Sequence, residues 1–224
     1  MHQPEYWPPL RTVRKLALAD HVVLLQGPGI MFDRSSCQHR ARVRSVSPVG
    51  GWEWLTIPYA HTGELQALRD VRAANEEWPE RHYQALRGRY RPAAGWAELF
   101  VQLGAFASVA IGRSVAGASR LALLSALAWL DCMPAVHLDT DFDGIPTDRT
   151  GRLVALCQAL KATTYLSGAT GARILDRAQF ADAGIDVQVH AYTAPSEPDG
   201  VEPSVLHDLL THGVAGTRAR LALP

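Results

Sequence analysis

The segment His2-Gln3-Pro4-Glu5-Tyr6-Trp7-Pro8-Pro9 places an imidazole, an amide, a phenol and an indole among three prolines. An imidazole titrates near neutral pH and suits general-base work. Proline fixes φ and drives the residue before it into extended geometry. The segment therefore reads as a stiff, non-helical arm. A frayed tail with aromatic side chains is the competing reading. The density of polar and aromatic groups favours an ordered arm whose His2 enters the main pocket.

Other chemistry-bearing residues come in short clusters. In Ser35-Ser36-Cys37-Gln38-His39-Arg40-Ala41-Arg42, Cys37 and His39 share one side of a strand. Cys/His catalytic partners usually come from separate segments, so inert packing competes with a nucleophilic Cys37. Arg40 and Arg42 also share a face, and two guanidinium forks suit a phosphate or carboxylate. Thr164 to Gly171 reads as a strand ending in a glycine turn before a helix. There Ser167, Gly168 and Gly171 offer backbone donors to an anion, although the spacing is neither GxGxxG nor a P-loop. Ser167 lacks the GxSxG elbow of a hydrolase. His82 lies on a helix. The run His137 to Gly144 resembles a calcium loop at first glance but has Thr150 where the terminal Glu belongs. It is read as an acidic loop, and neither a metal nor a cofactor is expected.

These residues need elements to hold them. Hydrophobic residues make up 47% of the 224 positions, enough for one packed domain. Lys plus Arg equal Asp plus Glu at 22 each, so charge gives no footprint for DNA or an anionic membrane. Only Lys15 and Lys161 are lysines. Cys37, Cys132 and Cys157 are far apart with no CxxC, which predicts reduced thiols in a cytoplasmic protein. No secretory leader is expected, and Leu121–Leu130 is too short to span a bilayer.

The periodicity predicts the end of a short helix over 16–20 and a buried strand over 21–26. Alternating strands follow over 40–44 and 52–58, joined by a hairpin turn at 47–51. Helical spacing runs over 78–90, 94–106 and 114–130. A strand at 135–138, a helix at 149–160, strands at 163–168 and 185–190 and a helix at 205–212 complete the chain. Residues 191–203 read as a loop. The order predicts one α/β domain over 1–224, with a mixed central sheet and a helical middle segment at about 78–130, an insertion or cap.

Taken together, the segments resemble the WbqC-like family. The resemblance rests on His2-Gln3-Pro4-Glu5-Tyr6, Lys15 to Asp20, and Ser36 to Val43 against a QNRN stretch. It also rests on Trp54-Leu55-Thr56-Ile57-Pro58, on Trp78, His82 and Tyr90, on Thr150 to Leu153, on Tyr165 to Gly171 and on Gly184 to Val187. Gln26-Gly27 stands where members usually carry an acidic pair, and Gln38-His39-Arg40-Ala41 replaces two amides of QNRN. The family's first strand is almost absent ahead of His2, so either the start lies further upstream or that strand is dispensed with.

The resemblance implies an aminoacyl or acyl transferase acting on an amine of a small molecule or sugar, in polysaccharide or natural-product biosynthesis. A carrier protein or aminoacyl-tRNA would supply the acyl group. His2, Gln3, Tyr6 and His82 form the expected catalytic set. His39, Arg40, Arg42, Thr56, Ser167, Gly168 and Gly171 form the expected substrate-binding set. The alternative is a non-catalytic binding protein that retains the pocket.

Overall fold

The computed structural model describes residues 1–27, 29–30, 37–45, 50–60, 66–195 and 201–223. The expectations for Ser35, Ser36, the middle of the hairpin turn and residues 196–200 lie outside these.

The chain runs α1 (Leu10–Ala17), β1 (His21–Leu24), β2 (Gly29–Ile30), β3 (Arg40–Arg44), β4 (Trp52–Thr56) and β5 (Gln66–Ala67), then a 3-10 turn at Leu68–Asp70. Next come α2 (Trp78–Tyr90), α3 (Ala94–Ala110), α4 (Val115–Trp129), β6 (Ala135–Leu138) and a second 3-10 turn at Asp139–Asp141. The last part is α5 (Arg149–Ala159), β7 (Thr164–Ser167), α6 (Ala169–Ala172), α7 (Arg177–Asp182), β8 (Asp186–Val189) and α8 (Val205–Arg220).

This is an α/β fold. Parallel and antiparallel pairing are both present, divided among two-stranded ladders in the described residues: β1 with β6 and β7 with β8 parallel, β3 with β4 and β2 with β5 antiparallel. The helical middle is α2 to α4, and α8 packs back onto α3. Ser114, Asp148 and Ser204 cap the N-termini of α4, α5 and α8 by accepting backbone N–H bonds, as short polar caps do. One apolar core joins the arm, α1, the β3–β4 ribbon and the helices; a second, around Leu153, Tyr165 and Phe180, sits under β7 and β8.

The arm is built into this core. Tyr6 and Trp7 are almost fully buried. Trp7 holds a left-handed backbone with φ 45°, costly for a bulky residue. Its indole packs against Phe106 and Trp129, with ring centroids 5.0 and 5.3 Å away, and that packing fixes the bend. The bend turns the chain so that α1 runs back beside the arm.

Candidate functional site

The arm ends as a strand. His2 N–H donates to the Val23 carbonyl at 3.0 Å, and Leu25 N–H donates to the His2 carbonyl at 2.9 Å. His2 therefore lies at the carboxyl end of β1, where open α/β sheets place their ligands. Asp139, just past β6, accepts N–H bonds from Gln26 and Gly27 at 3.0 and 2.9 Å. The acidic loop is thus engaged with backbone amides, and Asp141 likewise accepts from Leu138 N–H. Among the described residues no group of three or more His, Cys, Asp or Glu is placed to hold a metal.

Because α1 doubles back, Lys15 meets His2. Its Nζ lies 3.3 Å from His2 Nδ1, and Glu5 Oε1 lies 3.2 Å from His2 Nε2. Lys15, His2 and Glu5 form a row of amine, imidazole and carboxyl. Burial holds the Lys15 ammonium below its ordinary range, although Glu5 opposes the shift. Burial, then the Lys15 charge, depresses His2. For Glu5, burial pushes upward, but His2, the Thr12 hydroxyl and Lys15 outweigh it and the carboxyl stays below its ordinary value.

Three buried polar atoms here have no hydrogen-bond partner among the described residues: His2 Nε2, Glu5 Oε2 and Gln26 Nε2. The His2–Glu5 contact, at 3.2 Å, is close enough for an ion pair. Orphaned buried polar atoms are rare and mark a place for water or a ligand. The His2 and Glu5 side chains keep 21% and 15% of their exposure, while Nε2 and Oε2 themselves are buried.

The other expected catalytic residues separate into different roles. Gln3 Oε1 accepts from Gln38 Nε2 at 2.9 Å and fastens the arm to the strand region. Tyr6 OH and His82 Nδ1 are 2.9 Å apart, and His82 Nε2 lies 3.1 Å from the Thr56 carbonyl. With Nε2–H donating to Thr56, Nδ1 accepts from Tyr6. The pair is surrounded by Trp7, Trp78 and Phe106, and it reads as a satisfied polar bond within an aromatic core. Thr56 contributes its carbonyl to that bond. His39 is buried edge-on against Tyr59, away from solvent.

Arg40 and Arg42 each stack on Trp54, at 4.4 and 4.5 Å from its ring centroid. They line a groove of about 150 Å³ with Arg11, Cys37 and Trp7. The groove adjoins the arm through Trp7, and through Cys37, whose carbonyl accepts Tyr6 N–H. Ser167, Gly168 and Gly171 do not line it. Ser167 is buried, donates to its neighbour's carbonyl, and lies against Gly171, where a Cβ would meet its Oγ at 3.0 Å. α6 spans four residues. The structure therefore brings the two arginines together but does not join them to the glycine turn.

A cavity of about 460 Å³ is lined by Met1 and Lys15, with β1 and β7 as walls. His2 does not line it. The arm is ordered, as its composition predicts, but Met1 enters the cavity and His2 stands behind it. Lys15 was not singled out in the sequence. A lone lysine on an amphipathic helix looks like a solvated residue until the bend at Trp7 is known.

Burial pushes the Cys37 thiol up to about 11, which leaves little thiolate at neutral pH. Replacing Cys37 with Ser should retain most activity. An acyl adduct on Cys37 detected by mass spectrometry would contradict that outcome.

Burial lowers His39, His82 and His207 to about 4 each. A histidine whose folded value lies below its unfolded one near 6.5 binds its proton more readily when unfolded. Its stabilising contribution is complete above pH 6.5 and is lost as pH falls toward 4. The thermal midpoint should therefore drop steeply between pH 6.5 and 4. A flat profile over that window would show that these rings are not buried neutral.

A family model described as the WbqC-like protein family matches residues 3–199. The chain belongs to the WbqC-like family. It is also 24% identical over 201 residues to an uncharacterized Mycobacterium tuberculosis protein, Rv1507c, with 87% of this chain and 84% of that one covered. No solved structure matches. The matched span begins at Gln3, one residue past His2, and takes in the rest of the arm, the Lys15 helix, the Arg40–Arg42 strand and the Ser167 turn. Among the described residues no helix is long and apolar enough to cross a membrane.

Proposed function

We propose that this WbqC-like protein is an acyl or aminoacyl transferase acting on an amine of a small molecule or sugar, with His2 as general base. The observation that carries the reading is the Lys15–His2–Glu5 row at the carboxyl end of β1, with His2 Nε2 and Glu5 Oε2 left without hydrogen bonds. For this role His2 must carry its proton on Nδ1, with Lys15 as the neutral amine that accepts it, a form its burial favours, so that Nε2 keeps its lone pair. The acceptor nitrogen attacks the acyl carbonyl of a thioester or ester. A C–N bond forms, and the bond to the leaving sulfur or oxygen breaks. Nε2 takes the proton from the attacking nitrogen and returns it to the leaving group. The transient imidazolium then faces the Glu5 carboxylate, as a third group steadies the base in a triad. The Arg40–Arg42 groove beside the arm suits a phosphate on a carrier-protein arm or an aminoacyl-tRNA.

Deleting the gene and profiling the accumulated small molecules tests this reading. The expected result is an amine lighter than the lost product by one acyl group, restored by the purified protein and an activated donor. The second reading is a binding protein without turnover, favoured by Gln26-Gly27 in place of an acidic pair and by Tyr6 and His82 being engaged in the core. It predicts that the purified protein retains the molecule unchanged, and that outcome would replace the transferase.

A further inference from the structure

Of the large hydrophobic side chains exposed among the described residues, Phe100, Val101, Val109 and Ile111 fall on α3 or at its end. Single exposed apolar residues are ordinary, but a contiguous patch marks a contact surface. At about 100° per residue, Ala97, Val101, Ala105 and Ser108 make one exposed stripe along α3. Phe100 and Gly104 flank it on the α2 side, where a Cβ on Gly104 would meet Tyr83 of α2 at 3.9 Å. α3 holds a single charged residue, Glu98, and α8 engages it: Glu98 accepts the Val214 N–H at 3.0 Å. A helix that is apolar on every side belongs in an interior. In one copy of the chain, α3 has the core on one side and water on the other.

The charges beside this stripe fit it to itself. α2 packs on α3 and runs antiparallel to it after a short turn at 91–93, with the Tyr83 and Trp96 rings 5.7 Å apart. Arg87 and Arg91 are exposed where α3 begins. At the other end Glu76 Oε1 lies 3.9 Å from where a Cβ on Gly112 would be, and Glu76, Glu77 and Glu80 outnumber Arg81. The two-helix face is thus basic at one end, acidic at the other and apolar between. A two-fold axis across its middle turns the acidic end of one copy onto the basic end of the other. We propose that this face is the interface of a homodimer, with α3 packed antiparallel on α3 of a second copy and the axis beside Val101. That axis sets Ala97 against Ala105 of the partner subunit, and such small side chains let the helices approach closely. α3 is about 25 Å long, and with the α2 edge the face is roughly 20 Å wide. The two copies together bury about 1,000 Å², at the lower bound for a specific interface, so the dimer is weak, with a micromolar dissociation constant. The stripe lies on the side of α3 away from Phe106 and the arm, and its test involves no activity.

Sedimentation of the purified chain from ~1 μM to ~1 mM should show a monomer–dimer equilibrium. Val101 is 64% exposed, so Val101→Asp spares the fold. It sets two carboxylates against each other at the axis and should weaken association by about tenfold or more. Ile174, 55% exposed but off this face, supplies the control, and Ile174→Asp should leave association unchanged. Arg87→Glu with Arg91→Glu lays acid on acid at both ends of the interface and should weaken it by a similar factor. Adding Glu76→Arg and Glu80→Arg to the same chain reverses both ends, and a two-fold contact then regains its complementarity. A monomer throughout the range would mean that something other than a second copy covers the face, and it overturns the proposal. Association that Val101→Asp does not weaken more than Ile174→Asp, or a doubly reversed chain no tighter than the one carrying the arginine changes alone, overturns it equally.

Discussion

Replacing His2 with Ala should lower turnover by roughly 100-fold or more, the usual contribution of a positioned general base, while the fold persists. The fold persists because the His2 backbone, not its ring, makes the two bonds that tie the arm to β1. The anchors Tyr6 and Trp7 remain buried. A base also leaves a signature in pH. Burial and Lys15 hold His2 below its ordinary value, so its neutral, proton-accepting form persists to lower pH than a free imidazole would allow. Activity should stay level through neutrality and fall only on the acid side of 6.5. Replacing Glu5 with Gln removes the carboxylate opposite Nε2 and should move that acid limb further down, since an attraction favouring the imidazolium is lost. Unchanged turnover in the His2 variant would remove His2 from the chemistry. A lower rate with an unmoved acid limb in the Glu5 variant would leave Glu5 a packing role only.

How far the sequence foretold this depends on the range of the forces involved. Local periodicity located α2, α4, β3, β6 and β8 to within a residue or two, because alternation and a 3.6-residue repeat report the burial of one face. α3 continues to Ala110 and α8 to Arg220, beyond their expected ends. In α8 the run passes Gly213, whose φ of 71° breaks the helix, and Glu98 of α3 accepts the Val214 N–H just beyond the break. That cap comes from 116 residues away and leaves no local trace. The same limit hid Lys15. Its meeting with His2 depends on Trp7 adopting a left-handed backbone, which packing against two distant aromatic residues, Phe106 and Trp129, holds in place and no local propensity favours. Arg40 and Arg42 were legible as a pair because strand alternation puts them on one face. Their union with the Ser167 turn was not a matter of alternation, and the fold does not supply it. Tyr6 and His82 entered the expected catalytic set through the family resemblance; the fold sets phenol and imidazole 2.9 Å apart inside an aromatic core, a pairing that spans 76 residues and leaves no local trace.

Replacing Gly95 with Ala should be among the most damaging single changes to stability, although it adds one methyl group. Gly95 sits in the first turn of α3, where that helix crosses α8. A Cβ there would lie 1.9 Å from the Leu209 carbonyl oxygen and 2.7 Å from that of Leu210. Both are backbone atoms of a fully buried helical segment, so no side chain can swing aside. The helices must separate, and the apolar contacts on either side of the crossing loosen with them. Overpacking of this kind costs about 3 kcal/mol, the upper part of its usual range. At about 2–4 °C per kcal/mol for a chain of this size, the melting temperature should fall by about 6–12 °C. Gly88 supplies the control. It lies in α2 with nothing within 4 Å of an added Cβ, so Gly88→Ala should gain up to about 1 kcal/mol from helix propensity and reduced unfolded-state freedom. Opposite shifts in the two variants would show that the α3–α8 crossing depends on backbone contact. A Gly95 variant melting with the wild type would show that the helices stand further apart and that the arm, which packs against Phe106 of the same helix, does not rest on a rigid support.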